Sequence, residues 1–192
     1  IVSIGRTYTL RGDLGPNDEL LVTIDAMQQS AVITCDQGGV AAFENIIITG
    51  GYGIGDGGGI RTDFCSPSFI NCWVTGNIAT DRGGGVFVRA GSPSFLDCAI
   101  TNNIAEGLNG EHGGGLATYG LDGQATPILE NTVIFGNEPD QILDIAGGAW
   151  VDAGGNCIAD ELGDDLDGNG IPDACDPDCN GDGFPDGLED DC

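Results

Sequence analysis

A nine-residue pattern recurs along this chain at a fixed spacing, and this recurrence limits the possible folds more than any other feature. Copies begin at Phe43, Phe69 and Phe95, 26 residues apart, and a fourth begins at Leu129, 34 residues further on. Three glycines followed by an apolar residue form a second repeated block, at 57–60, 83–86 and 113–116. A repeat of this length predicts one small unit per copy, stacked on its neighbours.

Within each copy, apolar and polar residues alternate over three to five positions, which indicates short strands rather than helices. The positions expected on the inner face are Ile46, Cys72, Cys98 and Thr132, and, two residues later, Ile48, Val74, Ile100 and Ile134. Equivalent residues of neighbouring coils would lie about 4.8 Å apart on parallel strands. Residues 1–146 are therefore predicted to form an all-β parallel β-helix, a solenoid of about five to six coils.

Two further sets of repeated positions carry specific expectations. Asn45, Asn71, Asp97 and Asn131 share a corner of the repeat, where their side chains are predicted to hydrogen bond along the axis as a ladder. Cys72 and Cys98 share an inner position and are expected to be small buried residues in a stack rather than a disulfide. Cys35 and Cys65 have no evident partner.

The charge balance excludes some classes of partner. The chain has 192 residues, 31 of them acidic and 5 basic, and a formal net charge of −26. Such a chain repels phosphate, so nucleic acids and anionic membrane surfaces are excluded as partners. No apolar run approaches the roughly 20 residues of a membrane span. The acidity and the eight cysteines favour an extracellular or cell-surface location.

Residues 147–192 are predicted to form a second, small and irregular segment that binds calcium. From residue 151 onward they include 14 acidic residues and no basic one. The pattern D-x-[DN]-x-[DN]-G-x5-[DE] occurs twice, and its oxygen ligands suit a hard cation of coordination number six to eight. We predict two or more calcium ions, with ligands Asp165, Asp167, Asn169, Ile171 (through its carbonyl), Asp173 and Asp176 in one loop, and Asp178, Asn180, Asp182, Phe184 (through its carbonyl), Asp186 and Glu189 in the other.

The repeated motifs resemble a known group of proteins. The glycine triplets and the [Val/Ile]-x-x-Asn-x-Ala segments at 74–79 and 100–105 resemble right-handed parallel β-helix repeat proteins, including the repeats of polymorphic outer-membrane proteins. The segments 21–26 and 31–35 resemble the first coils of pectate-lyase-like domains. The resemblance implies a right-handed coil but no single activity, because this architecture serves lyases, hydrolases, adhesins and surface proteins.

The acidic segment, in turn, resembles thrombospondin type 3 repeats and, secondarily, dockerin loops. The type 3 resemblance implies that Cys157 pairs with Cys175, which would leave Cys179 and Cys192 for a second disulfide. Dockerins carry a recognition pair in a helix after each loop, and Ala174-Cys175 and Gly187-Leu188 do not supply one. A cohesin partner is therefore not expected.

Catalytic candidates are few. His112-Gly113 after Glu111 is similar to the His-Gly of polygalacturonases, but no pair of aspartates lies on the equivalent strands. Asp81 and Asp97 are single carboxylates at turns. Three arginines are expected to be surface charges that pair with the acidic body, namely Arg61, Arg82 and Arg89. We therefore expect no enzymatic activity.

Two functional hypotheses follow. The first is an extracellular structural or adhesive protein whose β-helices assemble end to end, as a filament or surface layer, with calcium-stabilised repeats. The predicted strands at 1–4 and 7–10 begin without a preceding polar cap, which favours stacking. The alternative is a carbohydrate-active β-helix, either an enzyme related to polysaccharide lyases and hydrolases or a glycan binder, with the acidic segment as an attachment tail.

Overall fold

The computed structural model describes residues 2–4 (backbone only), 8–36, 38–107, 112–120 and 124–159. These residues form an all-β solenoid in which every pair of strands is parallel, as predicted. No helix among them is long and apolar enough to cross a membrane.

Three six-stranded sheets and one short sheet form the walls of the solenoid. Sheet 1 contains β1 (Val2–Ile4), β4 (Ile33–Asp36), β8 (Ile60–Asp63), β12 (Val86–Arg89), β16 (Leu116–Tyr119) and β19 (Ile142–Ile145). Sheet 2 contains β2 (Tyr8–Arg11), β5 (Ala41–Glu44), β9 (Ser68–Ile70), β13 (Ser94–Leu96), β17 (Ile128–Glu130) and β20 (Val151–Asp152). Sheet 3 contains β3 (Val22–Asp25), β6 (Ile46–Thr49), β10 (Trp73–Thr75), β14 (Ala99–Thr101), β18 (Val133–Phe135) and β21 (Cys157–Ala159). Sheet 4 contains β7 (Tyr52–Gly53), β11 (Ile78–Ala79) and β15 (Ile104–Ala105).

Each coil visits the sheets in the same order. The chain passes through sheets 1, 2 and 3, and in three of the coils through sheet 4, before it returns to sheet 1 one step along the axis. Sheets 2 and 3 continue beyond residue 146, because β20 pairs with β17 and β21 pairs with β18.

The register of the sheets confirms the alignment of the four sequence copies. Phe69 is paired with Phe43 on one side and with Phe95 on the other, and Phe95 is paired with Leu129. The three phenylalanine rings are stacked, with centroids 5.1 and 4.9 Å apart. The second predicted inner column is also fully buried, with 0% exposure at Ile48, Val74, Ile100 and Ile134. The core is thus built from repeated positions placed one above another.

The predicted corner ladder is seen between sheets 2 and 3 as two hydrogen-bonded pairs. Its four members adopt left-handed backbone conformations, with φ of 58°, 48°, 53° and 47° at Asn45, Asn71, Asp97 and Asn131. Asparagine and aspartate tolerate this region better than other residues that carry a Cβ. Asn71 Nδ2 donates to Asn45 Oδ1 at 3.0 Å, and Asn131 Nδ2 donates to Asp97 Oδ1 at 3.1 Å.

A second ladder of amides runs inside the solenoid, at the corner that follows sheet 3. It consists of Asn77, Asn103, Asn137 and Gln141, all at most 4% exposed. Asn77 Nδ2 donates to Asn103 Oδ1 at 3.0 Å, Asn103 Nδ2 to Asn137 Oδ1 at 2.9 Å, and Asn137 Nδ2 to Gln141 Oε1 at 2.8 Å. Asn77 and Asn103 thus each donate to the next coil, and Asn137 donates to Gln141 in its own turn, so these buried amides have the hydrogen bonds that buried polar groups require.

The glycine triplets form the turns that lead into sheet 1. Gly57, Gly83 and Gly113 have φ of +75°, +65° and +57°, a region that glycine adopts without steric cost. A Cβ added to Gly58 would lie 2.4 Å from the carbonyl oxygen of Gly84 in the next coil. Glycine is thus required there by close backbone contact, and the residue before each triplet is held over the outer face of sheet 1.

Candidate functional site

The outer face of sheet 1 gathers most of the cationic side chains of this acidic chain. We call this surface the arginine face and define it by Arg61, Arg82, Phe87, Arg89, His112 and Tyr119. It contains three of the five arginines and the single histidine. Because the chain carries a net charge of −26, such a concentration of cationic groups is the most distinctive polar feature among the described residues.

Backbone hydrogen bonds align three residues in and beside the arginine face along the solenoid axis. Asp56, Arg82 and His112 each precede a glycine triplet. The backbone N–H of Gly57 donates to Arg82 O, and that of Gly83 donates to His112 O, both at 2.9 Å. An acidic, a basic and an imidazole side chain therefore follow one another on three successive coils.

Arg82 is held firmly from both sides. Its Nε donates to Asp56 Oδ1 at 2.9 Å, and Nη2 lies 3.6 Å from Asp81 Oδ2. Its guanidinium carbon lies 5.5 Å from the ring centroid of Phe87 and 5.1 Å from that of Tyr119, within range of a cation–π interaction. This packing buries Phe87 on the outer side of the sheet, where it is only 1% exposed.

The remaining groups of the arginine face are partly unsatisfied. Arg89 Nη1 donates to Asp63 Oδ2 at 3.4 Å. At or beside this face, three buried atoms have no hydrogen-bond partner in the described part of the chain, namely Arg61 Nε, Asp63 Oδ1 and His112 Nδ1. The predicted pairing of the arginines with acidic residues is therefore seen for Arg82 and Arg89, while Arg61 has no ion pair among the described residues.

The carboxylates considered as catalytic candidates are not brought together. Asp81 lies in the turn after β11, next to Arg82. Asp97 lies at the corner between sheets 2 and 3, where it accepts a hydrogen bond from Asn131. His112 lies beside the Gly113 turn, at the edge of the arginine face. The geometry thus offers ion pairs and a guanidinium held by its neighbours. Asp81 and His112 both lie beside Gly107, where an added Cβ would be 3.3 Å from Asp81 Oδ1 and 2.9 Å from His112 Nδ1, whereas Asp97 lies at a different corner and forms no site with them.

The two inner thiols act as hydrogen-bonding residues of the core. Cys72 and Cys98 are free and buried, as predicted, and Thr132 holds the same position in the next copy. Each Sγ or Oγ1 lies within 3.6 Å of a phenylalanine carbonyl oxygen one coil earlier, those of Phe43, Phe69 and Phe95 respectively. The hydrogen bond with Cys98 lowers the pKa of Cys72, whereas burial raises the pKa of the Cys98 thiol.

A disulfide joins two residues for which the sequence suggested no partner. Cys35, on β4, is bonded to Cys65, which follows β8 in the next coil, with 6.2 Å between their Cα atoms. Both are buried, at 0% and 3% exposure. Cys157 is also disulfide-bonded. Its expected partner Cys175, and the expected pair Cys179–Cys192, lie outside the described residues.

All twelve predicted calcium ligands, from Asp165 to Glu189, also lie outside the described residues. Within the part of the chain that the structure describes, no group of three or more His, Cys, Asp or Glu residues could hold a metal ion. Calcium binding by the acidic segment therefore stays a prediction.

Comparison with known proteins identifies no relative of this chain. No family model matches the chain, and neither the curated proteins nor the solved structures include a significant match. The fold is thus established by the architecture itself, while the likeness to pectate-lyase-like domains and to thrombospondin type 3 repeats rests on the motifs alone.

Proposed function

We propose that this chain is a non-enzymatic structural module of an extracellular or cell-surface protein, and that its copies stack end to end. One observation carries the proposal. Among the described residues, each six-stranded sheet starts and finishes with a strand that is paired on one side only: β1, β2 and β3 in the first coil, and β19, β20 and β21 in the last. Unpaired sheet edges are templates for further pairing.

The apolar side chains of the two end coils support the same proposal. Leu10 and Leu21, in or beside strands of the first coil, are 37% and 60% exposed. Val151 and Ile158, on strands of the last coil, are 45% and 38% exposed. A copy stacked head to tail would continue all three sheets in parallel and cover these groups. Such a heterologous contact builds a filament when its rotation does not close.

Two matched variants test the assembly. Ile24→Lys would block the first coil and Ile158→Lys the last, because these residues end the buried column of Ile48, Val74 and Ile134. In millimolar calcium, sedimentation velocity should show oligomers of the wild-type chain and monomers of each variant alone. An equimolar mixture of the two variants should form one-to-one dimers, since each retains the end that the other lacks.

The control substitution is Thr75→Lys, which adds the same charge on a central strand and should leave assembly unchanged. A wild-type chain that stays monomeric at high concentration in millimolar calcium would refute end-to-end stacking. So would dimers or larger species of either end-blocked variant on its own.

We further propose that the acidic segment, 147–192, binds two or more calcium ions. The support is the doubled loop pattern and the absence of any basic residue after residue 151, since uncompensated carboxylates repel one another without a cation. Calorimetry should give dissociation constants of about 10⁻⁴ to 10⁻³ M, as in extracellular modules. Asp165→Ala and Asp178→Ala should each remove one site, and the absence of any calcium heat would contradict the proposal.

A glycan-binding module is the second candidate, and one observation favours it. Trp73 is 44% exposed in the middle of sheet 3, between its paired neighbours Ile47 and Ala99. An exposed indole on a flat sheet offers an apolar ring with a polar N–H to a ligand. Oligosaccharides that bind there should change the tryptophan fluorescence of the wild-type chain and not that of Trp73→Phe. Incubation with oligogalacturonides should give no shorter products.

A further inference from the structure

The two ends of the solenoid differ in the residues that end its inner columns. In a central coil, the inner positions of sheets 1, 2 and 3 are occupied by buried residues. In the last coil, two of these positions are occupied by the exposed carboxylates of Asp144 and Asp152. Charged residues at inward register positions of edge strands are a known way to prevent edge-to-edge pairing.

Asp144 ends an inner column of sheet 1. The register places it next to Thr118, and the column continues through Val88, Thr62 and Cys35, all of which are 0% exposed. Thr118 Oγ1 donates to Asp144 Oδ1 at 2.6 Å. The carboxylate thus contacts the preceding coil through one hydroxyl, and Asp144 is otherwise exposed at the end of the solenoid.

Asp152 ends the phenylalanine column of sheet 2. It is paired with Leu129, which follows Phe95, Phe69 and Phe43 in the same column. Its Oδ1 accepts hydrogen bonds from the backbone N–H of Gly154 at 2.9 Å and from Asn156 Nδ2 at 2.7 Å. A stacked copy would place its own apolar Leu10, the first member of the column, against this carboxylate.

The first coil carries apolar residues at the corresponding register positions, Ile4 in the sheet 1 column that Asp144 ends and Leu10 in the sheet 2 column that Asp152 ends. Leu10 begins the phenylalanine column, and Val22 and Ile24 begin the columns of sheet 3. In sheet 3 the last coil is apolar as well, because Ile158 follows Ile134. The barrier to stacking is therefore confined to sheets 1 and 2 of the last coil.

We propose that Asp144 and Asp152 close the last coil to the first coil of a second copy as long as their carboxylates are charged and uncompensated. This inference rests on the proposed end-to-end assembly and states which groups regulate it. Stacking would remove both carboxylates from water against apolar neighbours, which is unfavourable unless their charge is compensated. The wild-type chain then stacks in millimolar calcium, and not in a chelator at low salt.

The test removes the charges rather than the cation. The double variant Asp144→Val/Asp152→Leu should associate in EDTA, at least about tenfold more tightly per carboxylate than the wild-type chain, measured by sedimentation equilibrium. Asp144→Asn/Asp152→Asn removes the charge at nearly constant shape and should show a smaller gain in the same direction. Circular dichroism confirms that each variant is folded.

Two controls fix the interpretation. Glu106→Gln/Glu130→Gln removes the same number of charges from exposed positions of the central coils, and it should not promote association in EDTA. Adding Ile24→Lys to the apolar double variant should abolish the gain, because the first coil of the partner is then blocked.

The possible outcomes separate the two proposals. If the wild-type chain associates equally well in calcium and in EDTA, the carboxylates do not control stacking, and end-to-end assembly still stands. If the wild-type chain associates only in calcium and both double variants stay monomeric in EDTA, the role of Asp144 and Asp152 is likewise overturned. If neither the wild-type chain in calcium nor the double variants associate, end-to-end assembly itself fails.

Discussion

Replacement of Asn103 by leucine tests whether the buried amide ladder holds the coils together. Asn103 is 0% exposed. Its Oδ1 accepts from the backbone N–H and from Nδ2 of Asn77, each at 3.0 Å. Its Nδ2 donates to Val74 O and to Asn137 Oδ1, each at 2.9 Å. Leucine has a similar size and can make none of these four hydrogen bonds.

The magnitude follows from the groups left without a partner. The N–H of Asn77 and the carbonyl of Val74 lose the side chain that satisfies them inside the solenoid. A buried unsatisfied group costs about 1 to 3 kcal/mol, so Asn103→Leu should lower the free energy of unfolding by about 2 to 6 kcal/mol. This is a large fraction of the roughly 5 to 15 kcal/mol available to a typical domain.

Urea unfolding followed by circular dichroism, at a fixed calcium concentration, measures this loss. The control is Asn17→Leu, the same substitution at an exposed turn position, which should change stability by less than about 0.5 kcal/mol. A loss below about 1 kcal/mol for Asn103→Leu would show that the internal amides are not needed to hold the coils.

Three further predictions concern the core. Val74→Asp places a charge in a fully buried column and should prevent folding. Thr75→Asp, one residue further on, should be tolerated. If thermal melting shows the same loss of stability for both variants, the assigned strand register is wrong. Cys98→Thr should keep stability within about 1 kcal/mol, because Thr132 fills the same position in the next copy, while Cys98→Val should lose the hydrogen bond and about 0.5 to 1.5 kcal/mol. Loss of the Cys35–Cys65 disulfide in Cys35→Ala/Cys65→Ala, which leaves the disulfide of Cys157 in place, should cost at least about 3 to 4 kcal/mol for a loop of 30 residues, and an unchanged urea midpoint would contradict this.

The sequence predicts the architecture well because the repeat itself carries the register. The offset of 26 residues places Phe43, Phe69 and Phe95 in one column, and the offset of 34 to Leu129 identifies a coil with extra residues; both are confirmed by the strand pairs. The positive φ angles of the corner asparagines also follow from residue type and position.

Other features depend on which way a side chain points and on which residues lie close together in space, and a single sequence reveals neither. Asn103 is visible as a repeated position, but polar residues are mostly exposed, so its burial was not expected. The pair Cys35–Cys65 lies at the start of the repeats, where the coil length is irregular. Arg82 was expected to pair with acidic residues, and its packing on Phe87 and Tyr119 depends on a turn that folds over the sheet.

The unequal coil lengths show where this scaffold accepts new sequence. The step from Phe95 to Leu129 is 34 residues rather than 26, yet β12 pairs with β16, and β13 with β17, in unbroken register. The additional residues are confined to two connections, between β15 and Gly113 and between β16 and β17. The longer coil thus keeps the stacked core in register while its extra residues are confined to two corners that border sheet 1, and we expect a foreign peptide inserted at either corner to leave these strand pairs intact.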